Sequence, residues 1–372
     1  MDNLLNIVTV ISLFISFFLA FFLLTVKAQH KLSNRLFAFF LIITAIDVSE
    51  PLVSQFSDHP SNLGMLRNTI AFLQIPAIYL YVLSVCYSDF KLKIKHLNHL
   101  LPFVIVNLAL LPRFYSVGIE AKLDFIVDRQ DMIELQFTHW LFHFQIFGYF
   151  TAVLLILRKA KKLYLENNSA TNLSSYNWLF QFTSVLLILY LIVILKNIFK
   201  FSEYPQISEY IKVGILVLQL IITCWYLYKA LNNPELFRNI NSKLKLVSDI
   251  ISQEEKMEPE ILNEDLLKLK KYMMDEKPFL NPDLTIQDIA QEINVPVREL
   301  SVLINHQLRQ HFYDFVNTYR IEQAMEILKD PSKSKLTILE ILYDVGFNSK
   351  SSFNTAFRKH IGKTPTEVRK SL

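Results

Sequence analysis

The chain has 372 residues, of which 52% are hydrophobic and 13% aromatic, and its formal net charge is +4. Its length leaves room for two or three domains, and so high an apolar content is unusual for a soluble globular chain. Six glycines and the lack of a Gly-rich phosphate loop argue against backbone binding of a nucleotide. The two cysteines, Cys86 and Cys224, both lie in apolar runs, and we interpret them as small buried hydrophobes.

The apolar residues are concentrated in the first 231 residues, where seven stretches are long enough to cross a bilayer. A spanning helix needs roughly 20 mostly apolar residues. The stretches cover residues 4–26, 36–53, 65–87, 97–115, 138–157, 177–199 and 211–231. We therefore predict that residues 1–231 form a seven-span transmembrane domain in contact with the lipid bilayer. The alternative interpretation is a soluble helical protein with an unusually apolar core.

Basic residues between these stretches predict the orientation of the chain. They accumulate after the first, third and fifth stretches, as Lys27, Lys31, Arg35, Lys91, Lys93, Lys95, Arg158, Lys159, Lys161 and Lys162. The segment over residues 113–136 carries five acidic and three basic residues instead. Because Lys and Arg favour cytoplasmic loops, we predict an N-terminus outside a bacterial cytoplasmic membrane and a C-terminal domain in the cytoplasm.

Six ionisable residues lie in the predicted spans, all in their outer halves. They are Asp47, Glu50, Arg67, His139, His143 and Lys196. Because charged groups within a membrane are costly, they are candidates for function. We predict that they line a pocket that is open to the outside and senses an unknown small-molecule or membrane signal. The alternatives are groups that touch lipid headgroups, or ion pairs between helices. Nothing fixes the geometry of a histidine–carboxylate metal site, so no metal or cofactor is expected.

A charged, helix-prone linker is predicted over residues 232–276. Its clearest part has apolar residues at the spacing of an amphipathic helix, namely Leu262, Leu266, Leu267, Leu269 and Met273. This helix could pair with its copy in a homodimer, or it could pack on the domain that follows it. The sequence does not decide between the two.

An internal repeat follows the linker. Leu284-Thr-Ile-Gln-Asp-Ile-Ala290 and Leu336-Thr-Ile-Leu-Glu-Ile-Leu342 begin 52 residues apart and share four identical residues. Each copy predicts a helix, a turn and a second helix, over residues 284–308 and 336–361. A connecting helix is predicted between them, over residues 312–329.

The turn residues favour this interpretation. Gly346 can adopt the positive φ that a tight turn between helices needs, and Asn294, in the same place of the first copy, tolerates it better than most residues. We predict Asn348 as the N-cap of the helix after it. Near the end, Thr364-Pro-Thr-Glu367 has the form of a capping box.

Residues spread over 277–372 carry a family resemblance. They are Ile289-Ala290, Leu300, Tyr319-Arg320, Ala324, Gly346-Phe347, Ser352-Phe353, Phe357-Arg358-Lys359, Gly362 and Thr364-Pro365. In these positions the segment resembles the C-terminal DNA-binding domain of AraC/XylS-type transcription regulators. The resemblance implies an all-helical domain with two helix-turn-helix units that binds double-stranded DNA. Its fusion to a multi-span membrane domain resembles membrane-embedded regulators of Bacteroidetes-like bacteria, and makes the whole chain all-α.

Four positions depart from that family's pattern. Asn294 and Arg309 stand where the family often has Gly. Pro296 replaces a capping Ser, and Leu342 replaces a small residue. We expect slight strain in the first turn and a slight displacement of the first helix of the second unit. None of the four removes a side chain that is predicted to face DNA.

The second helix of each unit is predicted to lie in the major groove, where its first turns meet base edges. The predicted base-contacting residues are Val297, Arg298 and Ser301 in the first unit, and Ser349, Lys350 and Asn354 in the second, with Ser352 nearby. The predicted phosphate-contacting residues are Asn305, Arg358 and Lys359. Between residues 350 and 370 six basic residues face one acidic residue, so we expect the second unit to hold phosphate more strongly.

Together these features predict a membrane-embedded, sequence-specific transcription regulator without enzymatic activity. It would contact RNA polymerase if it activates transcription. The alternative is a membrane transporter or channel with a fused, autoregulatory DNA-binding module. That function needs polar groups through the inner halves of the spans, and no comparable charge is found there in the sequence.

Overall fold

A computed structural model describes residues 2–27, 31–56, 59–87, 90–128, 132–169, 174–233 and 259–371. Within these ranges the chain forms helices and no strand, so the all-helical prediction is confirmed there. An isolated antiparallel bridge joins Asn168 to Thr285. The acidic-segment residues 129–131 and most of the predicted linker, residues 234–258, lie outside the described ranges.

The chain divides into two compact units. The first unit comprises residues 1–158 and 174–246, and the second comprises residues 159–173 and 247–372. The second unit thus contains a short piece from the middle of the chain as well as the C-terminal part. The domain limits that the sequence predicts at residues 231 and 277 stay predictions.

The helices that begin in the first unit are, in chain order, α1 Asp2–Thr25, α2 Lys31–Val48, α3 Glu50–Val53, α4 Asn62–Thr69, α5 Ala71–Cys86, α6 Leu101–Leu110, α7 Ile119–Val127, α8 Ile133–Asn167, α9 Ser174–Lys200 and α10 Pro205–Asn232. Short 3-10 turns, Ser54–Phe56 and Ile94–Leu100, precede α4 and α6, and a π-helical turn, Leu111–Tyr115, follows α6. α1 packs against α2 and α10, α2 against α5, and α9 against α10.

Six helical segments in the described residues are long and apolar enough to cross a membrane. They are Asn3–Thr25, Asn62–Cys86, Ile94–Tyr115, Ile133–Asn167, Tyr176–Lys200 and Pro205–Asn232. A seventh candidate is the pair Lys31–Val48 and Glu50–Phe56, which is bent by 40°. The bend lies next to Pro51, which has no backbone N–H to continue the hydrogen bonding of α2. The predicted number of seven spans stays a prediction, as does their place in a bilayer.

An aromatic cluster forms the core of the first unit. The buried ring of Phe37 lies 5.0 Å from that of Tyr81 and 5.5 Å from those of Phe182 and Tyr226, between ring centroids. Trp178 Nε1 donates a hydrogen bond of 2.8 Å to the Tyr81 hydroxyl. The rings come from α2, α5, α9 and α10, and pairs of this kind add about 0.5–1.5 kcal/mol each beyond the area they bury.

The cysteine prediction is correct for one residue and wrong for the other. Cys86 is buried at the end of α5, whereas Cys224 is exposed. The buried residues of α10 include Gln219, Thr223 and Tyr226, which recur at helical spacing on one face. Cys224 lies off that face, and its apolar sequence neighbours do not reveal this.

The helices of the second unit are α11 Pro259–Asp275, α12 Ile286–Glu292, α13 Val297–Val302, α14 Phe312–Lys329, α15 Ile338–Asp344, α16 Lys350–Ile361 and α17 Pro365–Ser371. A π-helical turn, Leu303–Gln307, continues α13, and 3-10 turns cover Pro278–Leu280 and Pro331–Lys333. The amphipathic helix that was predicted in the linker is α11. Its Leu269 and Met273 are fully buried among residues of α12 to α14, while Leu267 is 69% exposed. The apolar face of α11 is therefore occupied within its own chain.

Two hydrophobic cores share α14, the predicted connecting helix. This helix contributes Phe312, Phe315 and Val316 to the core around α12 and α13, and Ile321, Ala324 and Ile327 to the core around α15 and α16. A single helix of 18 residues thus belongs to both helix-turn-helix units. The prediction that a helix over residues 312–329 connects them is confirmed.

Arg320 lies buried in the middle of α14, with 1% of its surface exposed. Its Nε donates to the Phe279 carbonyl at 2.6 Å, and its two Nη atoms donate to Asn281 O at 2.7 Å and Ser169 O at 3.0 Å. Its guanidinium carbon lies 5.4 Å from the ring centroid of Phe347. Burial lowers the pKa of Arg320 to about 10, so the guanidinium stays charged at neutral pH and all these contacts are charge-assisted.

The repeated Leu-Thr-Ile sequence begins each helix-turn-helix motif with the same cap. The hydroxyl of Thr285 accepts a hydrogen bond from the backbone of Asp288, whose carboxylate accepts from the Thr285 N–H at 2.7 Å. Thr337 and Glu340 repeat this capping box, with 2.6 Å from the Thr337 N–H to the carboxylate. This hydrogen bond lowers the pKa of Glu340 below its usual 4.5. Its contribution to stability is therefore complete above about pH 4.5 and is lost as the pH falls through the lowered value.

Gly346 brings the turn of the second helix-turn-helix motif against the backbone before α12. It has a φ of +88°, and a Cβ atom there would lie 2.5 Å from Phe279 O and 2.8 Å from Leu280 O. Since both atoms belong to the backbone, neither can move aside as a side chain would. Gly362 also has a positive φ, of +79°, but a Cβ there would meet nothing within 4 Å.

We expect Gly346→Ala to destabilise the second unit far more than Gly362→Ala. Both changes force a Cβ into the left-handed region, at a cost of about 1–2 kcal/mol, and only the first adds a clash with the backbone. Hydrogen exchange of the detergent-solubilised full-length protein measures the difference. Gly346→Ala should raise deuterium uptake across α12 and α15, and Gly362→Ala should affect only the end of α16. Equal uptake in the two variants would contradict this account of the turn.

Candidate nucleic-acid interface

The first motif consists of α12, a turn and α13. In the turn Asn294 has a φ of +54°, which confirms that this residue takes the left-handed conformation. Arg309, after the second helix, has a φ of +52°. Both residues therefore carry the strain expected where Asn and Arg replace Gly. Pro296 occupies the N-cap position of α13 without any side-chain cap.

The second motif consists of α15, a turn through Gly346, and α16. Leu342, which replaces a small residue of the family pattern, is fully buried in the core of this motif. The N-cap of α16 is Ser349, whose hydroxyl accepts a hydrogen bond of 3.2 Å from the Ser352 N–H. The prediction of Asn348 as the N-cap is wrong by one residue. Both residues are good caps by type, so residue type alone does not separate them.

α16 presents one polar face to solvent. Phe353, Ala356 and Phe357 anchor the opposite face in the core. The polar face is formed by Lys350, Ser351, Asn354, Thr355, Arg358 and Lys359, of which Asn354 is half-buried and the others are exposed. Ser351 and Thr355 are absent from the residues predicted to contact DNA. The buried aromatic pair in the sequence was the signal that could have found them, because it fixes which side of the helix faces out.

The structure places the predicted DNA-contacting residues in three environments. Val297, Arg298, Lys350, Arg358 and Lys359 are exposed, whereas Ser301, Asn305, Ser349 and Asn354 are half-buried. Ser352 is buried, and its hydroxyl lies 2.9 Å from that of Ser349. These two serines are engaged with each other at the start of α16, so Ser352 is not available to a base.

Two of the predicted phosphate contacts have partners within the protein. Lys359 Nζ forms an ion pair of 2.6 Å with Asp314 at the start of α14, although 59% of its side chain is exposed. Asn305 Nδ2 donates to Ser301 O at 2.9 Å and to its hydroxyl at 3.1 Å. Arg358 is exposed and free of such a pair among the described residues. It is therefore the clearest candidate of the three for a phosphate contact.

In the first unit, four of the six residues predicted to sense a ligand line one cavity of about 410 Å³. They are Asp47, Glu50, His139 and Lys196. Arg67 and His143 are not among its lining residues, but each contacts one: Arg67 Nη2 donates to Asn68 at 2.8 Å, and His143 Nε2 lies 3.3 Å from Asn197 Nδ2. Among the described residues, no group of three His, Cys, Asp or Glu side chains could hold a metal ion.

Two helix-turn-helix motifs on one shared helix, each with an exposed second helix, define a DNA-binding domain of the helix-turn-helix class. A family model described as "Helix-turn-helix domain" matches residues 289–371. The activator RhaS of Mannheimia succiniciproducens, an HTH-type transcriptional activator, is 32% identical over 83 residues, which cover 22% of this chain and 30% of that protein. The melibiose operon regulatory protein of Escherichia coli is 29% identical over 87 residues, covering 23% and 28%.

Among solved structures, the C-terminal domain of AraT, a response regulator from Geobacillus stearothermophilus, is 30% identical. The match covers 32% of this chain and 89% of that one, with a TM-score of 0.25. The chain spans under a third of the length of the two curated relatives, so their likeness concerns its C-terminal domain. That domain is an AraC-type helix-turn-helix domain, as the sequence resemblance implied.

We expect Lys350→Ala and Arg358→Ala to weaken DNA binding in different ways. If Lys350 contacts a base, Lys350→Ala should cost about 1–3 kcal/mol of binding free energy on the preferred duplex and relax the base preference. If Arg358 contacts a phosphate, Arg358→Ala should weaken binding to all DNA sequences alike and reduce the slope of log K against log salt concentration by about one. Fluorescence anisotropy of the full-length protein, with a duplex selected from a randomised pool, measures both.

The control is Lys271→Ala, which removes an exposed lysine of α11 outside both second helices. It should leave the affinity within about twofold, because an isolated exposed charge contributes little. If Lys271→Ala weakened binding as much as the other two variants did, the assignment of the DNA-facing surface to α16 would be wrong.

Proposed function

We propose that the chain is a membrane-embedded transcription regulator that couples a signal at or outside the membrane to promoter binding. Its AraC-type domain would bind double-stranded DNA in the cytoplasm. The observation that carries the coupling is that α8 contributes residues to both compact units. Its first turns line the cavity of the first unit, through Thr138 and His139, and its end belongs to the DNA-binding unit.

The membrane part of the proposal is supported by large apolar side chains that the first unit leaves exposed. Phe14 and Phe21 of α1 are 69% and 66% exposed, and Phe144 and Phe147 of α8 are 69% and 74% exposed. A soluble monomer rarely exposes so many large apolar side chains. In a bilayer, lipid acyl chains would cover these rings and keep them out of contact with water.

The coupling is supported by the way in which residues 159–169, the tail segment, are built into the second unit. Ser169 is 1% exposed, and its N–H and hydroxyl both donate to Leu284 O, at 3.1 and 2.6 Å. Its carbonyl and hydroxyl oxygens accept from Arg320 at 3.0 and 3.2 Å. Glu166 Oε1 lies 4.0 Å from His311 Nδ1, just before α14. A shift of α8 would therefore act directly on the loop before α12 and on the helix that both motifs share.

A ligand can shift this arrangement only if it binds two states of the first unit with different affinity. The tail segment would pass that difference to the DNA-binding domain, and DNA binding would act back on the first unit with the same free energy. This reciprocity permits a test of the coupling before the signal is known.

We expect the full-length protein to fractionate with the cytoplasmic membrane. A periplasm-active phosphatase fused after Leu372 should be inactive, and a fluorescent protein at the same site should fluoresce, because both report a cytoplasmic C-terminus. Genome-wide capture of DNA by the membrane-bound protein should enrich defined promoters. An active phosphatase fusion, or a protein found only in the soluble fraction, would overturn the membrane proposal and leave the DNA-binding domain intact.

We expect Ser169→Leu to uncouple the two units. The leucine side chain has no hydroxyl to replace the bonds of Ser169 Oγ to Leu284 O and to Arg320, and it does not fit a site of 1% exposure. In the unaltered protein, adding a captured promoter duplex should change deuterium uptake in α8 between residues 133 and 158. In Ser169→Leu the duplex should still bind, within about tenfold, without that change.

The control for this experiment is Ser334→Leu, which places the same side chain on an exposed loop of the second unit. It should respond to DNA as the unaltered protein does. If Ser169→Leu still transmitted the effect of DNA to α8, the tail segment would not be the route of coupling.

A further inference from the structure

The cavity of the first unit contains a fixed carboxylate. Asp47 accepts a hydrogen bond of 3.1 Å from Gln74, and the Gln74 carbonyl oxygen accepts one of 2.7 Å from the Tyr190 hydroxyl. Gln74 and Tyr190 are 5% and 4% exposed, and all three residues line the cavity. This chain of hydrogen bonds holds the carboxylate in one orientation, so the charge is preorganised for a ligand.

The same cavity contains an amine without a close counter-charge. Glu50 is paired with Lys212 at 2.6 Å. Lys196 also lines the cavity, yet no ion pair within 4.0 Å joins its Nζ to a carboxylate of the described residues. The carboxylate of Asp47 and the amine of Lys196 thus face one space without touching each other.

His139 and Lys200 also line the cavity, and most of its other lining residues are apolar. The apolar residues of this wall include Phe40, Phe72, Phe142, Leu186 and Leu189. A volume of about 410 Å³ is within the usual range for small-molecule sites, roughly 300–1,000 Å³. Such a wall would take the apolar part of a ligand whose polar groups are directed at the two charges.

We propose that this cavity binds a small zwitterion with an apolar side chain, which is the chemistry of an apolar α-amino acid. Its ammonium group would bond to Asp47 and its carboxylate to Lys196, so that both charges become paired. A simple anion would leave the Asp47 carboxylate unpaired in the cavity, and a simple cation would leave the Lys196 amine unpaired. In either case an unpaired charge would be buried, which costs free energy. The proposal names the ligand class of the sensing site and rests on the proposed function for its biological meaning.

Calorimetry on the detergent-solubilised full-length protein tests the ligand class with three probes that share one ring. L-Phenylalanine carries both charges, phenethylamine lacks the carboxylate and 3-phenylpropionate lacks the ammonium. We expect L-phenylalanine to bind at least tenfold more tightly than either of the others. Equal or tighter binding of 3-phenylpropionate, or no binding of L-phenylalanine at millimolar concentration, would overturn the proposal.

Two variants that each remove one charge and keep a polar side chain assign the charges. Asp47→Asn should weaken the binding of L-phenylalanine and of phenethylamine at least tenfold. It should not weaken the binding of 3-phenylpropionate, because no carboxylate is then left unpaired beside this anion. Lys196→Gln should weaken the binding of L-phenylalanine and of 3-phenylpropionate at least tenfold. It should not weaken the binding of phenethylamine, because no amine is then left unpaired beside this cation. Unlike a misfolded variant, each should keep one probe as a ligand. A loss of all three probes, or of none, contradicts the assignment.

The controls are Asp128→Asn and Lys27→Gln, which make the same chemical changes at exposed positions that do not line the cavity. Both should bind L-phenylalanine as the unaltered protein does. Membrane fractionation and promoter capture are measured on the same preparations. A protein that passes these two tests and fails with the probes disproves the zwitterion while the proposed function stands.

Discussion

The buried guanidinium of Arg320 is the interaction on which the second unit depends. It lies in the middle of the helix that two hydrophobic cores share, and it bonds to the backbone before the first motif and stacks on Phe347 of the second. A charge with 1% exposure is tolerated only when its hydrogen-bonding capacity is filled. Removing any partner would leave a buried donor unsatisfied, so the surrounding loops are held in one arrangement.

The same guanidinium reaches a part of the chain that is distant in sequence. Ser169 lies 151 residues from Arg320 and supplies two of its acceptors. A DNA-binding domain that stood alone would fill these positions with its own residues or with water. Here the end of α8 fills them, and this makes the tail segment part of the domain. The proposed coupling uses no phosphate transfer, only a shift in how well these few hydrogen bonds are made.

The first unit has a similar design at its cavity, where neighbouring side chains hold the charged groups in place. Gln74 and Tyr190 orient Asp47, and Lys212 holds Glu50. Lys196 has no such partner among the described residues. The proposed ligand would meet charges that the protein has already ordered. It would supply the counter-charges for Asp47 and Lys196, which are not paired with each other.

The sequence by itself determined the elements whose signal is local. Hydrophobic periodicity, the repeated Thr-x-x-acid caps, Asn294 and Gly346 in the turns, and α14 between the motifs all follow from short-range physical chemistry, and the structure agrees with each. Only the tertiary structure decided which serine caps α16, that Cys224 faces outward, and that residues 159–169 belong with the C-terminal domain. These outcomes depend on which face of a helix meets a partner far away in the chain, and no local pattern encodes that contact.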